Sequence, residues 1–180
     1  MTVEHWFDES MLPDFDGIFV NDDGRLEDEY GALVYLVDGA CRFNGRRDAY
    51  GAAAFFAGPE CWNQWSDPEN PSTNNSSELQ SVFGAVNMAG KNDETNIRIL
   101  CDSEYAINCV NYWPNQCWRP NARPDGTWEN SKGNPVSNQY LIKAILKSMK
   151  MNRVVADLQW ISRCDNYIAD RMAKEVLDWN

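Results

Sequence analysis

A single histidine, His5, is present in 180 residues, so a metal centre built on clustered imidazoles is excluded. The six cysteines (Cys41, Cys61, Cys101, Cys109, Cys117 and Cys164) include no Cys-x-x-Cys pair, and a structural zinc site therefore lacks its ligand set. Free, largely buried thiols of a reducing compartment are expected instead. No apolar run approaches the roughly eighteen residues needed to span a bilayer. The start, Met1-Thr2-Val3-Glu4-His5, has neither the basic residues nor the apolar segment of a secretory leader. Without one, the N-x-S triplets at Asn74 and Asn75 carry little meaning. A cytoplasmic or nuclear protein without membrane contact, working as a monomer, is the expectation.

Positive charge is scarce too. Sixteen Lys and Arg stand against twenty-seven Asp and Glu, for a net charge of −11. The imbalance is local: residues 1–30 hold ten acidic side chains and Arg25 alone, which places −9 in that segment and leaves −2 for the rest. An acidic total of this kind does not exclude a nucleic-acid-binding body. We read 1–30 as an acidic extension with one short apolar piece, Gly17–Val20, and 31–180 as a single domain long enough to bury a core.

The run Leu33-Val34-Tyr35-Leu36-Val37 leads straight into Asp38-Gly39. Five unbroken apolar residues predict a strand buried on both faces. An aspartate at its end is either the turn that stops the strand or a charged group held rigidly at the edge of the core. Further strands are expected over 50–57, 61–65, 96–101 and 154–161, and helices over 78–89, 103–112, 136–150 and 165–179. Ser76 or Ser77 is expected to cap the first helix. Residues 113–135, with four prolines and Trp113, Trp118 and Trp128, are expected to be irregular. Hairpins first, then alternating helices and strands, predict an α/β fold with a mixed sheet flanked by helices.

This order gives four carboxylates comparable positions. Asp38 ends the first strand, Asp102 ends the fourth, Glu78 opens the first helix, and Asp170 lies one turn into the last. Ligand sites of open α/β sheets collect at the carboxyl ends of parallel strands. Carboxylates gathered there repel one another unless a hard divalent cation relieves the repulsion, and paired ions of this kind clamp in-line phosphodiester chemistry.

Together, L-V-Y-L-V-D-G-A-C-R-F-N-G, S-T-N-N-S-S-E-L, I-L-C-D-S-E-Y and N-Y-I-A-D-R-M-A resemble type 1 ribonuclease H, in the family's order and spacing from about Leu33 to Val176. The resemblance implies a ribonuclease H-like, five-stranded mixed sheet in the order 3-2-1-4-5. It also implies hydrolysis of the RNA strand of RNA–DNA hybrids with two Mg²⁺ ions, Mn²⁺ being a substitute. By the same resemblance Asp38 is the bridging ligand, Glu78 and Asp102 serve the ion at the leaving 3′ oxygen, and Asp170 serves the ion that activates water, leaving a 5′-phosphate. Asn44, Asn74 and Asn75 match minor-groove contacts. Trp118, Trp128 and Asn138 match the substrate-binding handle and its exit, a region that carries only +1 between residues 113 and 135.

The chain departs from the family pattern in two places, the first being that handle, usually a basic helix, which Pro120 and Pro124 here keep from being continuous. In the second, the loop that normally carries a histidine between the last strand and last helix is missing, and Trp160-Ile161-Ser162-Arg163-Cys164-Asp165 connects the two almost directly. Arg163 is positioned to steady phosphate charge, although it cannot act as a base. Slow turnover and weak hybrid affinity are therefore expected. The alternatives are a nuclease for another duplex, or a catalytically weak or inactive module that binds hybrid or protein.

Overall fold

The computed structural model describes residues 12, 15–59, 61–66 and 71–178; His5 lies outside them. Among the described residues seven strands form one sheet: β1 (Ile18–Val20), β2 (Leu26–Asp28), β3 (Leu33–Arg42), β4 (Tyr50–Phe56), β5 (Trp62–Ser66), β6 (Asn96–Cys101) and β7 (Val155–Trp160). β3 is central. It pairs antiparallel with β4, which pairs antiparallel with β5. On its other side it pairs parallel with β6, and β6 pairs parallel with β7. The order β5-β4-β3-β6-β7 is the expected 3-2-1-4-5, and the strands starting at 33, 96 and 155 are the parallel ones.

Strand periodicity decides what β3 places on each face. Tyr35 and Val37 enter one core with Leu79, Val82 and Val86 of α1 (Asn74–Lys91) and with Leu141, Ile142 and Ile145 of α4 (Gln139–Asn152). Val34 and Leu36 enter the opposite core with Ile168, Ala169 and Met172 of α5 (Tyr167–Asp178). Asp38 continues the second set, toward α5. Gly39 continues the first, toward α1.

Helix α1 begins earlier than its apolar stripe suggests. Thr73 is the cap, its hydroxyl accepting from the Ser76 N–H, and the Ser76 hydroxyl in turn accepts from the Thr73 N–H at 2.8 Å. The reciprocal pair satisfies two N-terminal donors at once, and Ser77 stays buried inside the helix. The expected helix at 103–112 is a short α2 (Glu104–Ile107) that widens into a π-helical stretch, Asn108–Tyr112, and closes as α3 (Trp113–Gln116). Pro114 sits in the first turn of α3, where it forfeits no helical hydrogen bond.

The acidic first thirty residues contribute more than one short strand. β1 and β2 form a ribbon, and Glu27 pairs with Leu33 at the start of β3. Leu26 and Asp28 are buried. Arg98 pairs with Asp28 at 3.0 Å, and the Asp28 carboxylate accepts from the Tyr30 and Ala32 N–H groups. Arg25 reaches further, pairing with Glu94 and donating to the Tyr35 hydroxyl, which itself donates to Glu94 at 2.7 Å. Buried charge is tolerated there because each charged group has an opposite charge beside it, although Arg25 Nε itself has no hydrogen-bond partner. Among the described residues no helix is long and apolar enough to cross a membrane.

Candidate active site

The site is assembled at the carboxyl ends of β3 and β6. β3 carries Asp38, only 3 % exposed. Asp102 lies just past β6, held between the strand end and Ser103, whose hydroxyl caps α2 by accepting from the Ala106 N–H at 3.2 Å. Glu78 comes from α1, which is able to approach because residue 39 is glycine: a Cβ there would fall 2.2 Å from the Glu78 nitrogen and the Ser77 carbonyl carbon. One oxygen from each of Asp38, Glu78 and Asp102 lies within 4.8 Å of the others.

Such a cluster is electrostatically uneasy. Burial pushes the Asp38 carboxyl up to about 8, with Asp102 and Asp170 adding to the rise and Arg163 opposing it. Burial, then Asp38 and Asp102, pushes Glu78 well above the ordinary carboxylate range, and the Gly39 N–H opposes this. Glu78 Oε2 and Asp102 Oδ1 are buried without a hydrogen-bond partner. Hard-oxygen donors that repel each other and lack protein partners suit a divalent cation of the Mg²⁺, Mn²⁺ or Ca²⁺ type, so this residue set fits the metal that the sequence implied.

Asp170 stands beside the cluster on α5. Its two oxygens are engaged by the chain's own cations, Arg163 Nη2 at 3.1 Å and Lys174 Nζ at 2.5 Å. The guanidinium benefits in turn, since the Asp170 hydrogen bond raises the Arg163 pKa. Residues 161–166 alone connect β7 to α5, and this short connection carries Arg163 against Asp170.

One residue of consequence escaped sequence reasoning. Asn166 is fully buried and donates from Nδ2 to the Val37 carbonyl at 2.8 Å, next to Asp38. It thereby fastens the start of α5 to β3 and sets Asp170 against Asp38. Its position four residues before Asp170 was the one available signal, and spacing alone does not reveal a hydrogen bond to another strand.

Asn44, Asn74 and Asn75 are exposed near one another: the Asn74 N–H approaches Asn44 Oδ1 at 3.4 Å, joining the β3–β4 turn to the start of α1. Asn138 has a left-handed backbone (φ 53°) and donates to the Tyr105 hydroxyl at 3.1 Å. Tyr105, Trp113, Trp118 and Trp128 form a chain of rings with centroids 5.5–6.2 Å apart, the first pair edge-on and the other two tilted. Trp118 is half-buried, whereas Trp128 lies in the core under Lys143. Trp128 therefore shapes this segment from below and offers little of its face to solvent. Arg119 and Arg123 both pair with Glu129, so the segment's small positive charge is largely spent internally.

The sequence profile of the RNase H family matches residues 31–178. The chain belongs to the RNase H family. Ribonuclease H of Syntrophomonas wolfei is 31 % identical over 140 residues, covering 74 % of this chain and 90 % of its own. Ribonuclease HI of Pseudomonas aeruginosa is 30 % identical over 129 residues, 72 % of this chain and 79 % of its own. Relatives so named make the chain an enzyme of the ribonuclease H class. The fold agrees with solved RNase H structures. The N-terminal RNase H domain of a Mycobacterium tuberculosis protein superposes with a TM-score of 0.57 at 20 % identity, covering 81 % of this chain and 93 % of that one. RNase H1 of the halophilic archaeon Halobacterium salinarum gives 0.54 at 18 % identity, covering 83 % and 100 %.

Proposed function

We propose that this enzyme cuts the RNA strand of RNA–DNA hybrids by metal-dependent hydrolysis, leaving 5′-phosphate ends. The observation that carries the reading is the convergence of Asp38, Glu78 and Asp102 within 4.8 Å, with two buried oxygens lacking any donor. Asp38, Glu78, Asp102 and Asp170 would hold two Mg²⁺ ions, or Mn²⁺ in their place, whose chemistry is to stabilise the attacking and leaving oxygens of an in-line displacement. Asp38 faces both Asp102 and Asp170 and is assigned the shared position. Glu78 and Asp102 are assigned to the leaving side, and Asp170 to the water side. Gly39 directs its N–H toward the Glu78 carboxylate, and Arg163 places a permanent positive charge where phosphate charge develops. Asn44, Asn74 and Asn75 are assigned to the minor groove, where 2′-hydroxyls distinguish RNA from DNA. Trp118 and Asn138 are assigned to the neighbouring strand, with Trp128 supporting them.

Residues 31–180 form the catalytic domain in this reading, with 1–30 as its acidic extension. A monomer in the cytoplasm or nucleus is part of the proposal, and the six free thiols suit a reducing compartment. Turnover is slow in this reading, because the six residues 161–166 that connect β7 to α5 include no histidine. A second reading, hybrid binding with little cutting, is favoured by the pairing of both Asp170 oxygens with Arg163 and Lys174.

Labelled RNA–DNA, RNA–RNA and DNA–DNA duplexes incubated with Mg²⁺ or Mn²⁺ test both readings. RNA cleavage in the hybrid that vanishes in Asp102→Asn supports the first. Hybrid binding without cleavage supports the second, and cutting of another duplex moves the enzyme to a different substrate. Arg163→Ala should lower kcat by about tenfold or more with little change in KM.

A further inference from the structure

Helix α1 has a second face, opposite Glu78 on the helical wheel, on which Gln80, Gly84, Asn87 and Lys91 recur at the helical period. Between that face and the edge strand β5 lies an open cleft of about 280 Å³, near the small end of ligand sites and far too small for a duplex. Phe55, Trp65, Phe83 and Met88 supply its apolar walls. Trp65 leans directly on α1 because residue 84 is glycine: a Cβ there would fall 2.2 Å from the indole. Phe55 meets the same ring edge-on at 6.1 Å, so the indole is held from two sides.

The polar groups of the cleft are uncommitted. Gln80 lines it and is 8 % exposed, yet among the described residues its carboxamide has no hydrogen-bond partner. A buried amide left unpaired costs stability, and folding gives no return for it. Asn87 is oriented by a relay. Asn152 Nδ2 donates to the Ser148 hydroxyl at 3.2 Å, and that hydroxyl donates to Asn87 Oδ1 at 2.6 Å. The relay engages the Asn87 oxygen and leaves its amide N–H donors unspent. Lys91, at the far end of the face, is exposed and has no ion-pair partner among the described residues. No carboxylate stands among the described residues that line the cleft.

These groups define a ligand class. Aromatic walls take a flat ring. Carboxamides read a ring edge that both donates and accepts, as they do with adenine. A lone ammonium takes a phosphate as a point charge. We propose that the α1–β5 cleft is a mononucleotide site, with the base stacked on Trp65, its edge bonded to Gln80 and Asn87, and its phosphate on Lys91. Nine helical residues at about 1.5 Å each put Asn87 roughly 14 Å along α1 from Glu78. The occupant is a free nucleotide, and the assignment stands independently of the hybrid reading.

NMR titration of the isotope-labelled protein tests it, with EDTA present to keep nucleotide off any metal at the carboxylates. Adenosine 5′-monophosphate should shift the Trp65 indole N–H and the Gln80 and Asn87 carboxamides, with a Kd below about 1 mM. Adenosine, lacking the phosphate, should bind about tenfold more weakly, and Lys91→Met should bind the two alike. Gln80→Leu should weaken binding of both by about tenfold while unfolding no earlier than wild type, since an unpaired buried amide has been removed. A lower unfolding temperature for Gln80→Leu with unchanged nucleotide affinity would make Gln80 structural and overturn the proposal. So would a nucleotide that leaves the Trp65 signal in place or shifts only Asp38, Glu78 and Asp102. Benzoate binding as tightly as the nucleotide would overturn the assignment of the ligand class.

Discussion

Asp38 shows how a single residue can be positioned for function against its own stability. An unfolded aspartate titrates near about 3.9, whereas burial and the neighbouring carboxylates push Asp38 up to about 8 in the fold. The folded protein therefore holds this proton more tightly than the unfolded chain. The resulting stabilisation is complete below about pH 4 and is lost as pH rises through about 8. In EDTA, the unfolding temperature of the wild type should fall across that window relative to Asp38→Asn, which cannot titrate; parallel curves would mean that the cluster does not repel as described. Saturating Mg²⁺ should raise the wild-type curve at pH 8 and leave Asp38→Asn less affected, since a ligand stabilises only the state that binds it. Asn166 works in the opposite sense, adding stability and alignment together. Asn166→Ala would leave the Val37 carbonyl without its donor, costing about 1–3 kcal/mol. Urea unfolding should register that loss, and kcat should fall as Asp170 drifts from Asp38.

Among the elements, the contact between β3 and α1 is the tightest constraint on the site. At Gly39 a Cβ would meet backbone atoms, which cannot rotate away as a flexible side chain can. Gly39→Ala should destabilise the protein by about 1–3 kcal/mol, as overpacking does. It should also depress kcat beyond what the stability loss explains, because α1 carries Glu78. An unfolding curve that matches wild type would show that α1 shifts freely. The β1–β2 ribbon makes a second element-scale case. Arg25 ties it to Glu94 and Tyr35 across the edge of the sheet. Arg25→Ala should cost about 3 kcal/mol by stranding Glu94, which is 8 % exposed, without its charge partner. Activity at a temperature where the variant remains folded should be nearly unchanged, since this network lies away from the carboxylates.

For the molecule as a whole, charge is the quantity that sets substrate affinity. A net charge of −11, together with a 113–135 segment whose arginines pair with Glu129, leaves few cations free to displace counterions from a duplex. Hybrid binding should accordingly be weaker than nanomolar at physiological salt, with a shallow dependence on salt concentration. A steep slope with nanomolar affinity would show that these charges are arranged quite differently when substrate is bound. The sequence by itself determined the alternation of strands and helices and set Asp38, Glu78, Asp102 and Asp170 near the ends of those elements, because apolar period and element order are local properties written directly in the chain; the strand order came from the family resemblance. It also showed that the histidine loop was missing, since six residues cannot hold both a connection and a lobe. Only the tertiary structure decided that three carboxylate oxygens converge within 4.8 Å, that Asn166 reaches β3, and that Trp128 is buried beneath its neighbours. Only there, too, did the acidic start become a paired ribbon locked by Arg25. Each of these depends on partners distant in sequence, and burial and repulsion have no magnitude until those partners meet. Asp38 therefore had an address in the sequence, and the fold supplied its neighbours and the energy of keeping them together.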